Sequence, residues 1–171
     1  HYCRDLAEYG AEITAALQVI RQTDGNAAVV GNFHSTGAPI GLLYAQDHAA
    51  ERPFDSLILN SPFLAFNDSW INEAVLIKVI ASLGQFFPEQ ALPGGLSPVY
   101  GQSVHRAFQG EWDFDRSWKP IEGFPTRAGW IRAIHQAHRR IQAGLTLDCP
   151  ILCLFSSASS RPQAFEEIAC R

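Results

Sequence analysis

Apolar and polar positions change period along this chain in a way that marks out its elements. Between residues 2 and 22, Leu6, Tyr9, Ile13, Ala16, Leu17 and Ile20 recur at helical intervals, while Arg4, Asp5, Glu8 and Glu12 fall off that face. This predicts an amphipathic helix. Thr23, Asp24, Gly25 and Asn26 supply a turn. The apolar run Ala27 to Val30 then predicts a strand leading to a polar corner at His34, Ser35 and Thr36. A helical pattern through Ile40, Leu43 and Tyr44 follows at once. That helix is expected from Pro39, which has no N–H to satisfy in a first turn, to Ala50, with Arg52 and Pro53 closing it. Residues 55 to 60, DSLILN, predict a short buried parallel strand that ends at Asn60, Ser61 and Pro62.

From Phe63 to Leu147 the periodicity breaks. Prolines at 88, 93, 98, 120 and 125, the Gly94-Gly95 pair and Trp112, Trp118 and Trp130 interrupt it, leaving helical patches at 68 to 86 and 126 to 143. The aromatics are expected to pack inside this segment, because large rings are buried for their area. Gly144 is a helix stop, and CPILCLF from 149 to 155 is a third apolar strand. Ser156 to Ser160 form an exit loop, and a short helix is expected from Gln163 to Ala169. The strand-helix-strand order predicts an α/β fold: a parallel sheet of about three strands flanked by helices, carrying a mainly helical insertion. The segments are 1–62 (core, with the corner), 63–147 (insertion) and 148–171 (core strand and helix).

The corner carries the candidate chemistry. A strained turn between strand and helix projects a serine hydroxyl above the sheet, and the N–H groups that open the helix face any negative charge developing there. Ser35 is therefore the nucleophile candidate. The stretch Phe33-His34-Ser35-Thr36-Gly37-Ala38 resembles the nucleophile elbow of the α/β-hydrolase superfamily, G-x-S-x-G, especially the GHSTGG form of lysophospholipase-like and serine-aminopeptidase-like members. LILNSPF, ending at Phe63, matches the strand and exit loop that follow the elbow helix there, and Trp118 to Ile134 looks like the closing section of a cap.

The resemblance implies a partial α/β-hydrolase fold with residues 63–147 as a cap over the active site. Ser35 would attack a small carboxylic ester or an amide, and the Thr36 backbone N–H would supply half of the oxyanion hole. No cofactor and no metal is implied. Phe33 and Ala38 stand where the pattern has glycines. Phe33 is expected to crowd the corner, and Gly31 lies too far upstream to replace the missing glycine.

Such a hydrolase needs an acid and then a histidine later in the chain. The acid normally follows the strand at 150–155, where this chain has Ser159. Glu166 and Glu167 are the nearest carboxylates, on the expected last helix, and the histidine is expected beyond Arg171. The chain thus reads as the middle portion of a hydrolase domain, inactive alone. The alternatives are a catalytically dead fragment and a non-enzymatic binding or assembly module pairing through exposed sheet edges. His34 adjoins Ser35 but points elsewhere. His135 and His138 read as partly solvated neighbours of Arg132, Arg139 and Arg140 rather than as metal ligands. His48 and His105 show no partner pattern.

Composition adds bounds. A chain of 171 residues that is 47% hydrophobic can build one domain with a real core, and a net charge of −4 with no basic stripe gives no reason to expect nucleic acid. No apolar run approaches the roughly 20 residues of a membrane span. The sequence opens at His1 with no charged leader, apolar core or initiating methionine, so upstream residues are expected. Its four cysteines include no C-x-x-C, which predicts reduced, mostly buried thiols and a cytoplasmic location.

Overall fold

The computed structural model describes residues 3–66, 71–92 and 98–157; side-chain environments are described from residue 76 onward in the second of these stretches. The expected loop and helix beyond residue 157, with Ser159, Glu166 and Glu167, lie outside them.

Three parallel strands, β1 (Val30–His34), β2 (Ser56–Asn60) and β3 (Ile151–Leu154), form a sheet in the order β1-β2-β3. The expected parallel sheet of three strands flanked by helices is present. The first strand starts later than the apolar run suggests, because its ladder to β2 spans Val30 opposite Ser56 to His34 opposite Asn60. Asp55 sets this register: its carboxylate accepts the Val29 N–H at 2.7 Å, and its own N–H reaches the Val29 carbonyl at 2.9 Å. β2 is central and buries Leu57 and Leu59. All four residues of β3 are exposed, Ile151, Leu152 and Leu154 among them.

The first helical stretch is segmented. A 3-10 turn (Leu6–Tyr9) capped by the Asp5 carboxylate on the Ala7 N–H precedes α1 (Gly10–Gln18), and a π turn (Val19–Thr23) ends it. Ile13, Leu17 and Ile20 lean on the sheet core, and the Thr14 hydroxyl is 2.8 Å from that of Tyr44. Helix α2 (Gly37–Asp47) is apolar on every side, the composition of a helix enclosed by protein. One face joins Val29, Phe54, Leu57 and Leu59 of the sheet layer. The other, through Leu43, meets Cys3, Leu6, Ala133, Ile134 and Ala137. The last three belong to α5 (Ala128–Gln142), whose small residues let the two helices approach closely. Between α2 and α5 in sequence come α3 (Ile71–Leu83) and α4 (Pro98–Val104).

The described residues divide into two compact units, one of residues 3–90 with 128–156 and the other built on residues 91–127. In the first, the α3 end at Gly84 lies so close to the α5 start that a Cβ there would stand 2.5 Å from the Ala128 carbonyl oxygen. The second is organised on His105, which is 3% exposed. Its Nδ1 accepts the Ala107 N–H at 3.0 Å, so Nε2 donates to the Phe114 carbonyl at 3.1 Å. Contrary to the sequence reading, His105 therefore has partners, as does His48, which stacks on Tyr44 at 4.3 Å and meets Glu51 at 3.1 Å. Trp112 and Trp118 are exposed rather than packed inside, and Trp130 leans on the Leu43–Ile134 cluster.

Among the described cysteines Cys3 is buried, Cys149 half-buried and Cys153 exposed on the edge strand, so burial does not shelter them all. Burial, with Glu8 next in effect, pushes the Cys3 thiol up. Among the described residues no helix is long and apolar enough to cross a membrane.

Candidate functional site

The carboxyl ends of parallel strands are where open α/β sheets place their ligands. Ser35 is the residue after β1 and Ser61 the residue after β2, and both adopt left-handed backbone, with φ of 51° and 47°. Each first extends the ladder by one bond. The Ser35 N–H donates to the Asn60 carbonyl at 3.0 Å, and the Ser61 N–H donates to that of Leu154 at 2.7 Å. The chain then turns sharply away. A left-handed serine costs about 1–2 kcal/mol and persists only where its neighbours over-determine it. At Ser35 they do: its carbonyl accepts the N–H of Ala38 at 3.1 Å and that of Phe63 at 3.0 Å. What separates Ser35 from Ser61 is that α2 begins two residues later.

The corner accommodates Phe33 in a way the motif alone does not suggest. A Cβ at Gly41, one turn into α2, would stand 2.5 to 2.6 Å from three Phe33 ring atoms, and one at Gly31 would stand 2.7 Å from the same ring. The missing glycine of the motif is thus replaced by Gly41 and Gly31, both of which cede their side-chain space to the ring. Phe54 braces it edge-on at 5.5 Å between centroids. The expectation that Phe33 crowds the turn, with Gly31 too distant to help, is corrected on this point.

Among the described residues the Ser35 hydroxyl has no hydrogen-bond partner, and the Thr36 N–H meets no acceptor. Thr36 forms the N-cap position of α2 without a side-chain cap. The free N–H and the helix dipole therefore both face the space at the corner. His34 is exposed on the strand before it.

Sequence reasoning missed the role of His138. It is 3% exposed rather than solvated, lies edge-on to Phe63 and Phe66, and its Nε2 donates to the Phe63 carbonyl at 2.8 Å. The same Phe63 donates its N–H to Ser35, so α5 holds the exit segment of β2 that braces the corner. No local pattern signals this, since 75 residues separate the bonded pair. No group of three or more metal-ligating side chains occurs among the described residues.

Burial pushes the His138 imidazole below its ordinary 6.5; the Phe63 carbonyl opposes this, and His135 adds to it. His135 is also lowered, first by burial and then by Arg139 and Lys78. The unfolded chain then takes up protons near pH 6.5 that the folded chain refuses. Stability is therefore full above pH 6.5 and falls as pH drops from there toward the folded values, by at most about 1.4 kcal/mol per pH unit for His138. Urea midpoints at pH 7.5 and 5.5 (~2 units apart, on either side of the ordinary value) should differ in that direction. The difference should shrink in His138→Gln, which keeps a donor for Phe63 but cannot titrate.

No protein-family model and no curated protein matches this chain. Among solved structures it is similar to a monoacylglycerol lipase from Paleococcus ferrophilus, at 16% identity and a TM-score of 0.52. The alignment covers 82% of this chain and 52% of the lipase, so the chain spans about half the length of that protein. At this identity the likeness is one of fold. The chain has the fold of part of an α/β hydrolase: a three-strand parallel sheet flanked by helices.

Proposed function

We propose that this chain carries the nucleophile portion of a serine hydrolase acting on a small carboxylic ester or an amide, with residues 63–147 contributing the cap. The observation that carries this reading is the left-handed Ser35 at the carboxyl end of β1, immediately before α2. Ser35 Oγ attacks the substrate carbonyl as its proton passes to a histidine base outside the described residues, the Thr36 N–H stabilises the oxyanion that forms, and collapse expels the alcohol or amine, which takes that proton. The fold likeness to a lipase supports an ester over other acyl substrates. A fluorophosphonate probe with imidazole added as the base tests the reading: an adduct mapped to Ser35 by peptide mass spectrometry supports it, and a folded chain that stays unlabelled under those conditions overturns it.

A second reading rests on β3. Three exposed apolar side chains on an edge strand suit pairing with another chain, the assembly-module alternative. Light scattering separates the two: mass that rises with concentration supports assembly, and a constant monomer mass rejects it.

A further inference from the structure

Away from the corner, α3 and α5 enclose an open groove of about 780 Å³. Four of its side chains are basic: Lys78 from α3, and Arg132, His135 and Arg139 from α5. Spacings of three and four residues bring the α5 members onto one face. The remaining polar lining, Ser82, Gln85, Gln136 and Gln142, is neutral and able to donate, and among the described residues no carboxylate lines the groove. Asp47 is engaged elsewhere by Arg140, and Asp113 by Arg106. Among the described residues Lys78, Arg132 and Arg139 have no ion-pair partner.

A surface usually intersperses its charges. Here three permanent cations and a ring of neutral donors face one concavity with no compensating acid among the described residues, so an anion brought from outside would relieve their mutual repulsion. Forked guanidinium donors on one wall and an ammonium on the other suit tetrahedral oxyanions. From this charge complementarity we propose that the α3–α5 groove is a binding site for a soluble phosphate compound, a phosphate ester or pyrophosphate. The site is separate from the hydrolytic reading of Ser35 and does not depend on it. Its anion sits beside His135, which is faced by Arg132, Arg139 and His138 on its own helix and by Lys78 on the other. A bound phosphate offsets the cations that oppose protonation of His135. Binding therefore takes up a proton and strengthens as pH falls through the histidine range.

The test is calorimetric titration of the full chain with inorganic pyrophosphate at low ionic strength. Saturable binding is expected, with Arg132→Gln/Arg139→Gln weakening it at least roughly tenfold. Lys78→Gln on the opposite helix reports independently if the double variant fails to fold. The His135 ring resonance should titrate at higher pH with pyrophosphate present. Absence of saturation, unchanged affinity in a folded variant, or equal displacement by chloride at matched ionic strength overturns the proposal. So does binding of phosphatidylglycerol vesicles that pyrophosphate does not compete away, which would assign the groove to a membrane surface.

Discussion

Ser35→Ala is expected to abolish fluorophosphonate labelling, and with it the protein-dependent part of the ester hydrolysis that added imidazole elicits. The hydroxyl stands at a strained corner beside an unoccupied N–H, but among the described residues no base accepts its proton. A positioned general base contributes roughly 10²–10⁴-fold. Hydrolysis of p-nitrophenyl butyrate by the chain alone should accordingly lie near the Ser35→Ala background. Imidazole supplies a diffusing base, and the difference between the two proteins should then grow with imidazole concentration, since the variant reports only the solution reaction. Identical rates at every concentration would remove Ser35 from the chemistry. A Ser35-dependent rate without imidazole would instead locate a base outside the described residues.

The second large effect is structural. Gly41→Ala should destabilise the chain by about 1–3 kcal/mol through overpacking against the Phe33 ring, outweighing the helix-propensity gain of about 1 kcal/mol that Ala brings over Gly. The ring cannot simply swing aside, because Phe54 braces it edge-on and the Gly31 backbone lies close on another side. In a Phe33→Ala background the same substitution should become neutral or stabilising, giving a coupling of about 1–3 kcal/mol in a double-mutant cycle. Denaturant midpoints of the four proteins measure it. Additive effects would show that Gly41 does not make room for the ring.

Much of the corner was legible in the residues. An apolar stretch, a polar apex and a helical repeat lie within a window of some twenty residues, and backbone preference acts over that range. The apex serine and a helix directly after it follow from this local order, although the helix opens at Gly37, before the expected Pro39. The brace behind the corner was not legible. Phe63 and His138 meet because α5 packs on α2 through Ala133 and Ala137. An isolated histidine between arginines reads as solvated until that packing buries it. The aromatic segment misled for the opposite reason: Trp112 and Trp118 carry the composition of a core, yet their local unit is built around His105 and leaves them outside.

Read locally, then, the chain specifies which elements it forms, their order, and the serine at the first strand's exit, because hydrophobic period and turn chemistry act between near neighbours. Packing alone decides the rest. It starts β1 at Val30 through the Asp55 clamp, moves the motif's glycine to Gly41, and leaves β3 exposed. It also turns His138 inward while Arg132, His135 and Arg139 face a groove with Lys78. Each of these is a contact between segments distant in sequence, whose energy exists only once the helices and the sheet have come together.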